Sequence, residues 1–255
     1  MANVSVKQVG REPWAKWYIQ RLGRKRNSWI VGPEPEKAFL REVTKSVGLN
    51  KTLLDIGCGA GKTVKLIAPK VREAWGIDPS KRLIEFAREN APQNARFKVA
   101  DGRKLPFEDG SFHVVICQRG PATDNERFAR EMQRVLKKDG AFIAITIGER
   151  DKENIKKVFG RGQQYKALLA KKTEAKRHIA LLTKLRFARV GVREYNPVEY
   201  FAKLGDLIFR LERTPIIPNF RKVKDKRFLK EIERRFFDGR GIRTNSHRLI
   251  VKAIK

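Results

Sequence analysis

The 255-residue sequence predicts an α/β protein built on a mostly parallel sheet with helices on both faces. The main observation is an alternation of strand-length apolar segments with helix-compatible segments across residues 52–147. A second observation is Leu-Leu-Asp-Ile-Gly-Cys-Gly-Ala-Gly at residues 53–61, where an apolar strand runs into a glycine turn. Helix-compatible residues follow from Lys62 to Ala68, and this order is typical of the first unit of a nucleotide-binding sheet.

The elements of this core follow in order. A helix is expected after Pro33, with acidic residues in its first turn, a buried stripe that includes Phe39 and Val43, and an end at Gly48. Another helix is expected after Ser80, whose hydroxyl can cap it. The first five predicted strands are Thr52–Ile56, Glu73–Asp78, Ala95–Val99, Phe112–Cys117 and Ala141–Ile147.

The glycine turn allows more than one interpretation. Gly57, Gly59 and Gly61 have no Cβ, so the backbone can turn sharply and lie against a ligand. A dinucleotide-binding turn has the spacing G-x-G-x-x-G, whereas this turn reads G-x-G-x-G with Asp55 before it. An acid in that place suits a ligand with a cationic end better than one with a pyrophosphate. The first interpretation of this turn is therefore a binding site for a ligand with a cationic end. The other two interpretations are a nicotinamide enzyme and a purely structural turn.

Further landmarks lie at the ends of the next strands. Asp78 ends the second strand about 20 residues after the turn, where a carboxylate can accept hydrogen bonds from ribose hydroxyls. Asp101 and Gly102 follow the third strand. Leu-Pro-Phe-Glu-Asp-Gly-Ser-Phe precedes and enters the fourth strand at residues 105–112, and Arg-Val-Leu-Lys-Lys-Asp-Gly-Ala-Phe enters the fifth at residues 134–142.

Over about residues 34–150 these motifs together resemble the class I S-adenosylmethionine-dependent methyltransferases, and residues 105–112 resemble a segment of their ubiquinone-biosynthesis-type branch. The resemblance implies a Rossmann-like, doubly wound sheet of seven strands, with the seventh strand antiparallel beside the sixth. It implies S-adenosylmethionine as cofactor, with Asp101 accepting a hydrogen bond from the adenine amino group and Gln118 near the methionine part. The residues expected to bind the cofactor are Asp55, Gly57, Cys58, Gly59, Gly61, Asp78, Pro79, Asp101, Gly102 and Gln118.

The segment after the fourth strand lacks one common catalytic pattern of this family. Many amino-methylating members carry (N/D/S)-P-P-(Y/F) there, but residues 117–121 read Cys-Gln-Arg-Gly-Pro. Arg119 is expected to hold a phosphate or a base edge, or else to pair with a carboxylate. His247, at the entrance to the last strand, is the best histidine candidate for a catalytic base. Cys58 and Cys117 lack the sequence context of a methylating nucleophile.

Five further segments flank or extend this core. Residues 1–32 form a basic, aromatic arm that either binds unpaired bases and phosphates or packs on the core. Its expected substrate contacts, together with Arg119, are Trp14, Trp17, Tyr18, Arg24, Lys25 and Arg26. The core is assigned to residues 33–195 and 247–255. It includes a basic helical segment at 151–183, a sixth strand at Phe187–Tyr195 and a seventh strand at His247–Ile254. A helical cap is expected at residues 196–246, with helices near Pro197–Leu204 and Arg221–Phe237 and a rigid linker at Thr214–Phe220.

The net charge of +30 is concentrated near the end of the chain, because residues 151–255 hold 29 basic and 11 acidic side chains, a net charge of +18. A polyanionic partner accounts for such a field, since basic side chains that neutralise phosphates give salt-sensitive binding. Solubility, heat adaptation and attachment to an anionic membrane surface are the alternatives.

The sequence predicts no secretory signal and no transmembrane helix, and two cysteines without metal-ligand spacing predict neither disulfides nor a zinc site. We therefore expect a cytoplasmic protein without a bound metal. The leading hypothesis is a methyltransferase acting on ribosomal or transfer RNA, with a nucleobase as the acceptor. The alternatives are a small-molecule or quinone-type methyltransferase and a non-catalytic RNA-binding protein on the same fold.

Overall fold

The computed structural model describes residues 15–16, 19–20, 27–120 and 125–255. In chain order its strands are β1 (Ser28–Val31), β2 (Thr52–Ile56), β3 (Glu73–Asp78), β4 (Ala95–Val99), β5 (Phe112–Gln118), β6 (Leu136–Ile147), β7 (Arg189–Tyr195), β8 (Val198–Phe201), β9 (Ile242–Asn245) and β10 (Arg248–Ile254). The helices are α1 (Pro35–Ser46), α2 (Lys62–Ile67), α3 (Lys81–Arg88), α4 (Glu126–Val135), α5 (Glu153–Phe159), α6 (Tyr165–Leu169), α7 (Glu174–Lys184), α8 (Leu204–Leu211) and α9 (Lys226–Phe236).

The centre of the protein is a seven-stranded sheet with the order β4-β3-β2-β5-β6-β10-β7. The first five strands of this order pair in parallel. β10 pairs antiparallel with both β6 and β7. The predicted α/β fold, with an antiparallel last strand beside the sixth, is confirmed. The carboxyl ends of the parallel strands meet at one edge of the sheet, which is where open α/β sheets bind ligands.

Helices cover both faces of this sheet because its inner strands are apolar on both sides. Leu53 of β2 belongs to a buried cluster with Phe39 of α1 and Ile84 of α3. Its neighbour Leu54 belongs to a second cluster, with Met132 of α4 and Leu182 of α7. Adjacent strand residues point to opposite faces, so these two leucines anchor the two helical layers.

A second, three-stranded antiparallel sheet has the order β1-β8-β9. The predicted helix near Pro197–Leu204 is wrong, because that stretch contains β8, and α8 begins only at Leu204. The residues Val-Glu-Tyr-Phe of β8 pair with β1 on one side and β9 on the other, and both partners lie far away in the sequence. Long-range pairing therefore outweighed the local expectation.

The segment expected to be a rigid linker is part of a small core of its own. Ile216, Ile217 and Phe220 are buried with Phe201 and Ile242, under the second sheet and against α5, α8 and α9. The basic segment at 151–183 divides into α5, α6 and α7. No helix in the described ranges is both long and apolar enough to cross a membrane.

Several predicted boundaries also shift. The fifth strand begins at Leu136 rather than Ala141, and the sixth begins at Arg189 rather than Phe187. The last cap helix begins at Lys226, five residues after the predicted start at Arg221. Each shift lies at an element end, where neighbouring contacts decide how far the regular structure extends.

Candidate cofactor and acceptor site

The glycine turn connects β2 to α2 at the carboxyl edge of the large sheet. The backbone N–H groups of Gly57 and Cys58 donate hydrogen bonds to the Ile77 carbonyl oxygen of β3 at 2.8 and 2.9 Å. Gly57 and Gly59 have φ angles of 78° and 55°, and a Cβ on either would meet no atom within 4 Å. The space beside their backbone is therefore open, and a ligand could lie against it.

Gly61 serves packing rather than ligand approach. A Cβ at this position would lie 2.7 Å from the Phe97 ring and 2.9 Å from the Ala87 Cβ. The third glycine of the motif thus allows the start of α2 to pack closely on β4 and α3.

The Asp78 carboxylate lies directly across from the glycine turn. One carboxylate oxygen accepts a hydrogen bond from the Gly59 N–H at 3.1 Å, and the other accepts one from the Ser80 N–H at 2.9 Å. The Ser80 hydroxyl accepts a hydrogen bond from the Leu83 N–H at 3.3 Å, so it caps α3 as predicted. A carboxylate has about four acceptor positions, so Asp78 can still accept hydrogen bonds from ribose hydroxyls.

Asp55 lies deeper, at the end of β2, with only 2% of its surface exposed. Its Oδ1 atom has no hydrogen-bond partner among the described residues. Burial, together with the negative charge of Asp78, raises the pKa of the Asp55 carboxyl to about 7. Two neighbouring carboxyls with an unused oxygen suit a ligand that carries positive charge near the glycine turn. This arrangement fits S-adenosylmethionine, which would be held by Asp55, Asp78 and the open backbone of the turn.

Cys58 lies between these acids, and Pro79 is exposed directly after Asp78. Burial and the charges of Asp55 and Asp78 raise the pKa of the Cys58 thiol well above its usual value. The thiol is therefore a poor nucleophile. This supports a structural place for Cys58 in the cofactor turn.

Asp101 and Gly102 follow β4 at the same edge. The Arg103 guanidinium holds the Asp101 carboxylate with Nε 3.0 Å from each oxygen, so an adenine amino group would share or displace this ion pair. A Cβ on Gly102 would lie 2.6 Å from the Phe128 ring, which explains the glycine by packing.

β5 ends at Gln118, beside the glycine turn, and Arg119 follows directly. The Gln118 side-chain amide donates a hydrogen bond to the Thr63 hydroxyl of α2 at 2.9 Å. Arg119 has a φ angle of 55°, which is uncommon for a residue with a side chain, and its N–H donates to the Ile145 carbonyl at 2.8 Å. The chain thus turns sharply after β5, at the edge of the sheet where the molecule that receives the methyl group is expected.

His247 lies at the carboxyl edge of β6, but its ring is fully buried. The Arg150 N–H donates to Nδ1 at 3.1 Å, and Nε2 lies 3.3 Å from the Glu194 carboxylate. Both ring nitrogens are thus engaged, and burial lowers the pKa of the imidazole. This geometry favours a structural role for His247 over the predicted catalytic one.

The sequence reasoning missed a buried cluster of charged residues between the large sheet and the cap. Asp151, Lys152, Glu199 and Arg248 are exposed by only 3%, 0%, 7% and 2%. The Lys152 Nζ atom lies 2.5 Å from a Glu199 carboxylate oxygen and 3.2 Å from Asp151, while Arg248 donates to Asp151 at 2.6 Å. Each of these residues resembles an ordinary surface charge in the sequence, so no local signal revealed the cluster.

The same cluster sets the charge state of Asp151. Burial by itself would raise the pKa of this carboxyl, but the charges of Lys152 and Arg248 lower it to about 2. Asp151 is therefore ionised, and the cluster holds compensated charges rather than a proton-transfer group.

The predicted substrate contacts of the arm lie outside the described residues, namely Trp14, Trp17, Tyr18, Arg24, Lys25 and Arg26. Within the ranges that the structure describes, no three His, Cys, Asp or Glu side chains are grouped so that they could hold a metal ion.

Sequence comparison places this geometry among known proteins. Residues 53–140 match the family described as a methyltransferase domain. The chain is 38% identical over 121 residues to the uncharacterized methyltransferase YcgJ of Bacillus subtilis, a match that covers 45% of this chain and 48% of that protein. It is 35% identical over 109 residues to the 2-methyl-6-phytyl-1,4-hydroquinone methyltransferase of Synechocystis, covering 41% of this chain and 34% of that protein.

Structure comparison agrees on the fold. The crystal structure of YcgJ aligns with a TM-score of 0.64 at 21% identity, covering 86% of this chain and 98% of that one. Geranyl diphosphate C-methyltransferase from Streptomyces coelicolor, solved with S-adenosyl-L-homocysteine, aligns with a TM-score of 0.51 at 16% identity, covering 86% and 76%.

The sequence matches span about half of YcgJ and about a third of the hydroquinone methyltransferase. Both relatives are methyltransferases, which agrees with the motif order, the sheet topology and the acidic glycine turn described above. The predicted family and its cofactor, S-adenosylmethionine, are thereby confirmed. The chain carries a class I S-adenosylmethionine-dependent methyltransferase domain.

Proposed function

We propose that this protein transfers a methyl group from S-adenosylmethionine to RNA, with a nucleobase of ribosomal or transfer RNA as the acceptor. The observation that carries the proposal lies at residues 221–230, beyond the matched family segment. Six basic side chains are exposed within these ten residues: Arg221, Lys222, Lys224, Lys226, Arg227 and Lys230.

Asp225, the acid within residues 221–230, does not offset the positive charge that this segment exposes to solvent. Asp225 is 5% exposed, and its carboxylate is bound by the Arg161 guanidinium at 2.9 and 3.0 Å. The Arg221 N–H also donates to it at 2.8 Å. The segment therefore presents concentrated positive charge to solvent, which a phosphate backbone would neutralise.

The chemistry assigned to the core requires positioning more than proton transfer. The bound cofactor supplies a methyl group on a sulfonium, which is already a good leaving group. Asp78 would orient the ribose, and the open backbone at Gly57 and Gly59 would allow close approach of the cofactor. The acceptor atom would then lie in line with the methyl group beside the ends of β5 and β6. A base within a duplex would have to be flipped out to reach this edge.

A second candidate function is methylation of a small molecule of the hydroquinone type. Residues 105–112 and the similarity to a hydroquinone methyltransferase favour it. The matched family segment ends at residue 140, so it does not include the basic segment. That segment supports RNA over a small apolar acceptor.

The decisive experiment maps methylated nucleotides by mass spectrometry in RNA from cells with and without the gene. We expect one modification to disappear and to return when purified protein and S-adenosylmethionine are added to the deficient RNA. The Asp78→Ala protein serves as a control that should not restore it. An unchanged modification map, combined with methylation of a hydroquinone by the purified protein, would favour the second candidate.

A further inference from the structure

One face of the three-stranded sheet combines aromatic, aliphatic and basic side chains. They are exposed on the two edge strands, whereas Tyr200 on the middle strand is covered and 1% exposed. The strand register places Trp29 opposite Tyr200 and Tyr200 opposite Arg243. Directly opposed residues of antiparallel strands point to the same face. With the neighbouring row, the members of this outer face are Trp29, Val31, Val198, Tyr200, Arg243 and Asn245.

Burial alternates along the edge strands and confirms which side faces outwards. In β1, Trp29 and Val31 are 39% and 47% exposed, whereas Ser28 and Ile30, which alternate with them, are more buried. In β9, Arg243 is exposed, and Ile242 is fully buried in the small core.

The outer face contains an ordered stack of rings. Trp29 and Tyr200 lie with ring centroids 5.3 Å apart and planes inclined by only 12°. The Arg240 guanidinium lies over the Tyr200 ring, 4.7 Å from its centroid. The Tyr200 hydroxyl donates a hydrogen bond to Asp238 at 2.8 Å, which fixes the middle ring. The Trp29 indole is therefore already ordered against Tyr200 while 39% of its surface is exposed, so it does not have to be ordered when a planar ligand stacks on it.

A groove of about 500 Å³ adjoins this stack along β9. It is shared by the outer face, the start of α5 and the end of α9, and its lining includes Val198, Arg243 and Phe237. Phe237 is 49% exposed. The groove therefore offers a second aromatic surface next to a cation.

The positive charge in the groove is not fully compensated. Glu153 pairs with Lys157 at 2.7 Å, and Asp238 is engaged by Tyr200 and Arg240. Arg243 is exposed, and its guanidinium forms no ion pair with the described residues. The basic segment at 221–230 leads into α9, whose other end lines the groove.

We propose that the outer face and its groove bind single-stranded RNA, with a base stacked on Trp29 and a phosphate held by Arg243. The inference rests on the proposed function and names the surface that holds the substrate. Aromatic platforms beside cations are the common device for holding unpaired nucleotides, because bases stack on the rings while phosphates pair with the cations. The surface has both parts already in place.

The test measures binding of a fluorescein-labelled oligouridylate by fluorescence anisotropy over a series of salt concentrations. The variants are Trp29→Ala, Trp29→Phe and Arg243→Gln, with Arg72→Gln as a matched control. Arg72 is an exposed arginine before β3, at the amino edge of the large sheet. S-adenosylmethionine affinity, measured by calorimetry, reports that each variant is folded.

Trp29→Ala should weaken RNA binding about tenfold, and Trp29→Phe should restore most of it, since stacking needs a ring. The dependence of log affinity on log salt should be unchanged in Trp29→Ala. In Arg243→Gln it should become shallower by about 0.7, as expected for one lost phosphate contact with a single strand. Arg72→Gln should bind like the wild type.

Two results would overturn the inference while leaving the proposed function intact. One is wild-type RNA affinity in both Trp29→Ala and Arg243→Gln. The other is a loss of binding to anionic phosphatidylglycerol vesicles in these variants without a loss of RNA binding, which would mark a membrane-facing surface. A wild-type protein that binds S-adenosylmethionine but no oligouridylate would also overturn the inference, whereas the proposed function is decided by the map of methylated nucleotides.

Discussion

Asp78 and Gly59 are joined by a hydrogen bond of 3.1 Å from the glycine N–H to a carboxylate oxygen, which ties the end of β3 to the turn after β2. The two residues are 19 positions apart, and the bond forms only because β2 and β3 are parallel neighbours. The carboxylate thereby serves two purposes at once. It holds the turn open, and it faces the space where the ribose of the cofactor would lie.

Replacement of Asp78 by asparagine should therefore weaken S-adenosylmethionine binding by about tenfold or more. A charged acceptor contributes about 1.5–3 kcal/mol per hydrogen bond, and the new amide would also present a donor to the Gly59 or Ser80 N–H. Calorimetric titration measures the effect. Asp109→Asn is the matched control, because its side chain is 80% exposed and pairs with Arg134 away from the turn. Equal affinity in the two variants would show that Asp78 does not contact the cofactor.

The raised pKa of Asp55 predicts a pH-dependent stability. Between the ordinary value of 3.8 and about 7, the folded protein retains a proton that the unfolded chain has released. The free energy of unfolding should therefore fall as pH rises through this interval, by about 4 kcal/mol in total. Asp55→Asn should remove this fall. Urea unfolding of both proteins at several pH values measures it, and parallel pH profiles would contradict the burial of an uncompensated Asp55.

The same carboxyl should couple cofactor binding to proton release. A ligand with positive charge near Asp55 favours the ionised form and lowers its pKa. Binding of S-adenosylmethionine near pH 6 should then release protons, with affinity increasing as pH rises towards about 7. Calorimetry in buffers of different ionisation enthalpy detects this release. The Asp55→Asn protein should show none, and equal release by both proteins would assign the proton to another group.

The close packing of Gly148 against His247 predicts that a larger residue at position 148 destabilises the protein. A Cβ on Gly148 would lie 2.1 Å from Nδ1 of the buried His247 ring. Gly148→Ala should lower the free energy of unfolding by about 1–3 kcal/mol, the usual cost of overpacking. Gly205→Ala in α8 is the control, since its Cβ would meet no atom within 4 Å and alanine favours a helix. Similar urea midpoints for the two variants would be inconsistent with the described packing.

The buried charged cluster predicts that replacing Lys152 greatly lowers the free energy of unfolding. Lys152→Met would leave Glu199 and Asp151 buried with less compensation, at a cost of about 3–5 kcal/mol that added salt should not reduce. Lys37→Met is the control, because Lys37 pairs with Glu34 at 2.7 Å but is 73% exposed. Its loss should cost less than about 1 kcal/mol. If urea unfolding gave equal changes, the burial of Lys152 would not govern its contribution.

Local sequence patterns were sufficient for the central strands and for the position of the glycine turn. The predicted bounds of β2, β3 and β4 agree with the observed ones, and Ser80 caps α3 as expected. Buried parallel strands are short apolar runs, and glycines or acids mark where they stop. All of this information lies within a few residues of each element, so these strands, the glycine turn and the Ser80 cap could be predicted.

The prediction failed where contacts join distant segments. The stretch Val198–Phe201 became a strand because β1 and β9 flank it, and nothing in its own sequence identifies those partners. Likewise, Lys152 and the His247 ring are fully buried by segments far away in the sequence, and no local pattern indicates that burial.

The sequence by itself determined the sheet, the glycine turn and the family, because the motifs that specify them are contiguous and their spacing is set by strand and helix lengths. Only the tertiary structure brought Trp29, Tyr200 and Arg243 onto one face and enclosed the charges of Lys152 and Glu199. The physical reason is that strand pairing and burial depend on contacts between segments that are distant in the sequence. A local pattern does not contain the free energy of those contacts.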